Sequence, residues 1–123
     1  MPLLLVVLVG CASAGSMKGE VKMEQQAFVP QQITVAAGET VTWVNDSSQT
    51  HTVTAYQDSL PEGAPYFASG DLPSEQAARA DIAAGLVRPG ERFSFTFEVA
   101  GTYRYFCIPH EGQGMTGTVV VEP

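Results

Sequence analysis

Short segments in which apolar and polar residues alternate recur along most of this chain. The clearest spans residues 92–99, where three phenylalanines and a valine occupy every second position and so share one face of a strand. Similar but shorter segments are residues 21–23, 33–35, 40–45, 52–55, 101–107 and 117–122. Gly, Pro, Asp and Ser lie between them, and short strands separated by such turn residues predict an all-β, antiparallel sandwich.

Residues 56–87 interrupt this pattern with a long connection that contains three prolines and several glycines. Within it, residues 74–86 have the features of a short helix, with Ser74 as the candidate N-cap and a Glu–Arg pair spaced four residues apart. Ile82 and Leu86, also four apart, would pack that helix on the sandwich. We therefore expect a connection with one short helix that covers one side of the sandwich.

The length and charge of the chain limit its architecture and its partners. A chain of 123 residues forms one small domain, and its six Lys and Arg against thirteen Asp and Glu give a net charge of -7. This balance argues against nucleic acid as a partner. It favours a solvated surface or a basic docking partner. Five of the acids lie in the long connection: Asp58, Glu62, Asp71, Glu75 and Asp81.

The N-terminal residues have the composition of an export signal. Residues 2–9 are apolar but too few to cross a bilayer, and they lead into Leu8-Val9-Gly10-Cys11, which resembles a bacterial lipobox. No Lys or Arg precedes the apolar run. We interpret residues 1–11 as a lipoprotein-type signal segment with lipid attached at Cys11, residues 12–19 as a flexible tether, and residues 20–123 as the folded domain. This predicts an extracytoplasmic, lipid-anchored protein.

Candidate metal ligands lie close together near the C-terminus. Cys107, His110 and Met115 place a thiolate, an imidazole and a thioether within nine residues, on a glycine-containing loop between two predicted strands. Copper accepts both soft sulfur and imidazole ligands. Two imidazoles, one thiolate and a weak axial thioether form the blue-copper set. The chain has one other histidine, His51, which becomes the candidate fourth ligand.

The cysteine count supports a metal rather than a disulfide. If Cys11 carries lipid, Cys107 is the one remaining thiol and has no partner for an intramolecular disulfide. A buried, inert cysteine is the alternative. The ligand spacing of the histidine and methionine that follow favours a metal-bound thiolate.

These motifs resemble those of the cupredoxins, in particular the plastocyanin, pseudoazurin and halocyanin-like branch. The resemblance covers residues 20–123 and implies a Greek-key β-sandwich with copper at one end. It implies His51, Cys107 and His110 as in-plane ligands and Met115 as a long axial ligand. The family often has Asn after its first ligand histidine, where this chain has Thr52, so that a hydroxyl would have to replace the amide. The matching stretches are residues 28–30, 33–35, 38–45, His51 and 101–117.

The resemblance implies a mononuclear type 1 copper electron carrier that cycles between Cu(I) and Cu(II) and is not an enzyme. Its expected partners are redox proteins such as cytochromes, oxidases or reductases, and we expect it to act as a monomer. By family likeness the ring edge of His110, in an apolar patch with Pro109, would be the electron route. Plant-type members have Tyr immediately before the ligand cysteine, where this chain has Phe106.

Three other functions are weighed against electron transfer. An extracytoplasmic copper-binding or delivery protein would expose Met- or His-rich segments, but this chain has four Met and two His. A copper enzyme needs an open coordination position or further histidines, and both histidines are already assigned. Zinc also accepts Cys and His, although such ligands intrinsically prefer copper.

Overall fold

A computed structural model describes residues 19–123, and in this part of the chain eight strands form two four-stranded sheets. The first sheet has the strand order β2-β1-β4-β6 and the second has the order β3-β8-β7-β5. The predicted all-β sandwich is therefore confirmed. The strands are β1 (Glu20–Met23), β2 (Phe28–Val29), β3 (Gln32–Ala36), β4 (Glu39–Asn45), β5 (Thr54–Ala55), β6 (Arg92–Phe97), β7 (Gly101–Phe106) and β8 (Thr116–Glu122).

The expectation of purely antiparallel pairing is wrong for two strand pairs. β1 runs parallel to β4, and β3 runs parallel to β8, while the other four strand pairs are antiparallel. The reason is that the chain passes from the first sheet to the second at β3 and back at β4. Strands joined by such crossings pair with neighbours that are distant in sequence, and no hairpin forces those neighbours to be antiparallel.

Aromatic rings from both sheets and from the long connection fill the space between the sheets. Trp43 of β4 is fully buried and stacks with Phe67 and Phe93, while its ring meets Tyr105 edge-on. In β4 the buried residues alternate with half-buried ones, and in β6 the three phenylalanines point inward as predicted. Burial of these rings removes a large apolar area from water and is the main stabilising contribution to the sandwich.

The long connection contains helix α1 (Glu75–Ala80), which is shorter than the helix predicted over residues 74–86. Its N-cap is Ser74, as predicted, and Ser74 Oγ accepts a hydrogen bond from the amide of Ala77 at 3.0 Å. At Asp81 the backbone leaves the helical region and its side chain caps a separate 3₁₀ turn over Ile82–Gly85. Ile82 consequently faces solvent with 40% of its surface exposed. The prediction that it packs on the sandwich is therefore wrong.

The connection also extends the second sheet beyond β5. The amide of Ala55 donates to the carbonyl of Phe67 at 3.1 Å, and the Tyr66 hydroxyl donates to the carbonyl of Ala55 at 2.9 Å. Phe67 and Ala68 are buried. The connection therefore covers one side of the sandwich, as expected, and adds a ring to the core.

The predicted signal segment 1–11, the lipid site Cys11 and most of the predicted tether lie outside the described residues. Gly19, at the start of the described range, is buried, and its carbonyl accepts a hydrogen bond from the amide of Thr42 at 2.7 Å. Among residues 19–123, no helix has the length and apolar character needed to span a membrane.

Candidate metal centre

The loop after β4 is organised by the side chain of Asn45, which is buried. Its Nδ2 donates to the carbonyls of Gln49 at 2.7 Å and Val87 at 2.9 Å. Its Oδ1 accepts hydrogen bonds from the amide of Ser47 at 3.0 Å and from the Ser47 hydroxyl at 2.7 Å. These bonds fold residues 46–50 into a compact turn that delivers His51 to the end of the sandwich.

His51 is fully buried and is held at its backbone and at one ring nitrogen. Its amide donates to the carbonyl of Val87 at 3.1 Å, and the Val87 amide donates back to the His51 carbonyl at 2.7 Å. Ring atom Nε2 lies 2.9 Å from Ser47 Oγ. Nδ1 faces the sulfur of Cys107 at 3.6 Å. With Nε2 occupied by the hydroxyl, Nδ1 is the ring atom available to a metal.

The loop after β7 returns Met115 to Cys107. Residues Ile108–Gln113 form a 3₁₀ turn with Pro109 in its first turn, and Gly114 follows in the left-handed region with φ of 82°. The Cys107 amide donates to the Met115 carbonyl at 3.0 Å, and the Met115 amide donates to the His110 carbonyl at 3.2 Å. Cys107 and Met115 are fully buried. The loop thus brings both sulfur residues to the same end of the sandwich.

The nitrogen and sulfur donors are spaced as a metal ion requires. His110 Nδ1 lies 3.4 Å from Cys107 Sγ, and one donor atom from each of His51, Cys107 and His110 lies within 4.8 Å of the others. Metal–nitrogen bonds of about 2.0 Å and metal–sulfur bonds of about 2.3 Å, meeting at tetrahedral to trigonal angles, separate N from S by about 3.5 to 3.7 Å. The residues present therefore fit a single ion.

Thr52 supplies the hydroxyl expected where the family often has an amide. Its Oγ1 accepts a hydrogen bond from the amide of Ile108 at 2.9 Å, which ties the two loops of the site together. Its backbone amide points at Cys107 Sγ at 3.4 Å. An amide donor beside sulfur stabilises a thiolate, so that Thr52 contributes both to loop geometry and to the electrostatics of the sulfur.

Burial favours the neutral forms of Cys107 and His51. It raises the pKa of the Cys107 thiol, and the opposing effect of the neighbouring Thr52 and His110 amides is smaller. Burial, with a smaller contribution from the charge of His110, lowers the pKa of His51, although a hydrogen bond to the backbone of Glu24 acts in the opposite direction. Metal binding must therefore displace the thiol proton, whereas the His51 ring already favours the neutral form that coordinates.

Sequence reasoning grouped His51, Cys107, His110 and Met115 and pointed to Thr52, but it missed Ser47 and Glu111. Ser47 carries no signal in the sequence, because its contact with His51 depends on the turn that Asn45 builds. Glu111 is likewise unremarkable in sequence. In the structure, hydrogen bonds from Arg79 lower the pKa of Glu111, and Tyr56, half-buried and bonded to Glu111, has a pKa raised to about 12, chiefly by burial.

Comparison with known proteins identifies the family. Residues 15–122 match the family model described as copper binding proteins of the plastocyanin/azurin family. The chain belongs to this family. Plastocyanin from Scenedesmus fuscus is 42% identical over 95 residues, which are 77% of this chain and 86% of the relative. The chloroplastic plastocyanin of Physcomitrium patens is 37% identical over 116 residues, which are 94% of this chain but 62% of that longer relative.

A solved structure agrees with this plastocyanin/azurin assignment. The oxidised plastocyanin of Dryopteris crassirhizoma superimposes with a TM-score of 0.60 at 28% identity, covering 84% of this chain and 99% of that one. The resemblance inferred from sequence is thereby confirmed. As a member of this family, the protein is a blue copper electron-transfer protein whose cofactor is one copper ion.

Proposed function

We propose that His51, Cys107, His110 and Met115 hold the copper ion, and that the protein carries single electrons between redox proteins outside the cytoplasm. The observation that carries this proposal is the pair of Nδ1 atoms facing one buried sulfur, at 3.6 Å and 3.4 Å. When bound, copper supplies the one-electron change between Cu(II) and Cu(I). Met115, buried directly after Gly114, would supply a weaker thioether donor.

The role of the chain in this function is to keep the donors in place. His51 is fixed by two backbone bonds to Val87 and by Ser47, and Cys107 is fixed by its bond to the Met115 carbonyl. The bonds to Val87 join the loop after β4 to the segment before β6, and the Cys107–Met115 bond joins the end of β7 to the start of β8, so the donors are held from several parts of the chain rather than by one flexible loop. A site that does not rearrange between two oxidation states exchanges electrons with little reorganisation.

Electrons would enter and leave through His110. His51 and Cys107 are fully buried, whereas His110 is partly exposed and is flanked by exposed Pro109 and Gly112. A small, weakly polar surface of this kind suits short encounters with cytochromes, oxidases or reductases. The net charge of -7 favours partners with a basic face.

The same geometry disfavours catalysis and delivery. An enzyme needs a coordination position open to substrate, and the four proposed donors, three of them completely buried, leave none exposed to a substrate. Delivery needs a metal that transfers readily to an acceptor, and completely buried sulfur and imidazole donors slow that transfer. We therefore propose a monomeric electron carrier that is not an enzyme.

The location outside the cytoplasm, with a lipid at Cys11, is supported by the sequence Leu8-Val9-Gly10-Cys11. A test is expression of the full chain in a bacterial host, followed by fractionation and mass spectrometry. Wild-type protein should appear in the membrane fraction with a diacylglycerol adduct, and Cys11→Ser should release it to the soluble fraction. Identical fractionation of both forms, without an adduct, would contradict the lipid anchor.

The electron-carrier function is tested by separating electron exchange from copper exchange. Copper-loaded protein, repeatedly reduced with ascorbate and oxidised with ferricyanide, should return to the same spectrum in each cycle. A Cu(I) chelator in excess should remove copper much more slowly than the redox steps proceed. Loss of copper to the chelator within the time of one redox cycle would instead favour the delivery function.

A further inference from the structure

Arg79, in the last turn of α1, binds the loop that contains His110. Its Nη1 and Nη2 donate to the two carboxylate oxygens of Glu111 at 2.9 Å and 3.1 Å, and its Nε donates to Glu75 at 2.9 Å. The guanidinium also covers the ring of Phe106, with Cζ 4.4 Å from the ring centroid. A two-pronged bond to a carboxylate combined with a flat contact to a ring fixes orientation as well as distance.

Tyr56, at the start of the same long connection, binds the same two residues. Its hydroxyl donates to Glu111 Oε2 at 2.7 Å, and its ring stacks on Phe106 with centroids 4.3 Å apart at an angle of 24°. The carboxylate of Glu111 therefore accepts three hydrogen bonds from the connection. Phe106 is covered by two side chains from it.

Glu111 directly follows His110 in the chain, and Phe106 directly precedes Cys107. The Glu111 carbonyl also accepts a hydrogen bond from the amide of Gly114 at 2.9 Å, at the point where the loop reverses towards Met115. Arg79 and Tyr56 thus hold the loop on both sides of its two donor residues, from outside the sandwich.

The two glycines of the loop surface have no side chains that could hold the loop instead. Gly112 and Gly114 are exposed, and a methyl group built on either would meet nothing within 4 Å. An exposed ion pair alone contributes little. The side chains of Arg79 and Glu111 are 39% and 33% exposed. This contact differs from an ordinary surface ion pair because it combines the two-pronged Arg79–Glu111 bond, the Tyr56 hydroxyl and the stacked ring of Tyr56.

We propose that Arg79 and Tyr56 are positioning residues for electron transfer, which hold the His110 loop in one geometry through Glu111 and Phe106. This inference rests on the proposed function, because the loop that Arg79 and Tyr56 hold carries proposed copper ligands. It assigns to the long connection the task of bracing the redox site.

Amide hydrogen exchange in the metal-free protein tests the bracing without any copper. In Arg79→Gln, the Gly114 and Met115 amides should exchange roughly three- to tenfold faster than in the wild type, because loop opening becomes more frequent. Amides of β4 should keep their rates, which reports intact global folding. The matched control is Lys22→Gln on the opposite sheet, which removes the same charge and should leave the loop amides unchanged.

Two milder variants keep the test decisive if Arg79→Gln also loosens β4. Arg79→Lys retains the charge but loses the two-pronged bond to Glu111 and the planar contact with the Phe106 ring. Tyr56→Phe retains the stacking on Phe106 but loses the hydroxyl that bonds to Glu111. Both should accelerate exchange at Gly114 and Met115 with normal β4 rates. Loop amides that exchange at wild-type rates in both variants would overturn the proposal.

The copper-loaded variants give a second, independent measurement. Arg79→Gln should change the reduction potential and the copper hyperfine splitting in electron paramagnetic resonance, and Lys22→Gln should change neither to the same extent. Unchanged hyperfine splitting together with equal potential shifts in both variants would show a charge effect only and would overturn the positioning role. A failure of the chain to bind copper would refute the proposed function, while the exchange result would still stand on its own.

Discussion

At the scale of single residues, two hydroxyl groups take part in the hydrogen bonding around the proposed metal donors. Ser47 Oγ lies 2.9 Å from His51 Nε2 and donates to Asn45 Oδ1 at 2.7 Å. Thr52 Oγ1 accepts from the Ile108 amide. A partner such as Ser47 Oγ sets the orientation and the basicity of the ligand that it touches, so that removing it weakens metal binding without removing a ligand.

Ser47→Ala should lower the copper affinity of the protein about 10- to 100-fold, because the His51 ring loses a hydrogen bond that helps to orient it. Competitive titration against a chelator of known affinity measures this change. Ser48→Ala is the matched control, since Ser48 is exposed and its hydroxyl bonds to Gln25 rather than to the site. Equal affinities for Ser47→Ala and wild type would show that the hydroxyl does not orient the ring.

The grouping of the proposed donors and the role of Thr52 could be inferred from sequence, while the contact of Ser47 with His51 could not. Cys107, His110 and Met115 lie within nine residues, so spacing and donor chemistry were enough to group them, and the chain has one further histidine. Ser47 reaches His51 through a turn whose shape depends on buried hydrogen bonds of Asn45. No local pattern encodes that contact.

At the scale of elements, the donor loop depends on one glycine rather than on two. The loop contains two glycines, Gly112 and Gly114, and the sequence alone allows either of them to adopt an unusual backbone conformation. In the structure Gly114 has the left-handed conformation, with φ of 82°, whereas Gly112 lies within the 3₁₀ turn. The sequence shows where glycines occur but does not show which of them the turn needs.

Gly114→Ala should destabilise the metal-free protein by about 1–2 kcal/mol, the usual cost of a left-handed conformation for a residue with Cβ. A Cβ at position 114 meets nothing within 4 Å, so this cost comes from the backbone alone. Urea denaturation measures it as a lower midpoint with an unchanged slope. Gly112→Ala, equally free of contacts, should be close to neutral, and a similar loss in both variants would contradict this account.

The helix of the long connection shows a second limit of sequence reasoning at this scale. The N-cap Ser74 and the Glu75–Arg79 pair were predicted and are present, at 3.0 Å and 2.9 Å respectively. The break at Asp81 was missed because Asp81 fits a helix surface as well as it fits a new N-cap. Its side chain accepts from the Ala84 amide at 3.3 Å, and this local bond competes with continuation of the helix.

At the scale of the whole molecule, the fold class followed from the alternating pattern, but the strand directions did not. Alternation reports which face of a strand is buried, and it carries no information on which strand lies beside it. The parallel pairs β1–β4 and β3–β8 arise from the passage of the chain between sheets, a property of the assembled sandwich.

The buried tyrosines should make the molecule unstable in alkali. Burial raises the pKa of Tyr66, Tyr103 and Tyr105 above the ordinary value of 10.0, so the unfolded chain ionises first as the pH rises. The stability that these groups contribute is complete below pH 10 and is lost progressively above it. Phenolate absorbance and circular dichroism should therefore change together above pH 10. Full phenol ionisation near pH 10 with unchanged circular dichroism would contradict this burial.

The central claim is that four side chains from two separate loops bind one copper ion. Its most direct test is addition of Cu(II) to the metal-free protein, followed by visible absorption and electron paramagnetic resonance spectroscopy. We expect one equivalent to give an intense blue colour with narrow copper hyperfine splitting, both lost on reduction, because a buried thiolate is bound to copper. Cys107→Ser should abolish the colour. A colourless wild-type protein, or a colour that survives in Cys107→Ser, would contradict the account.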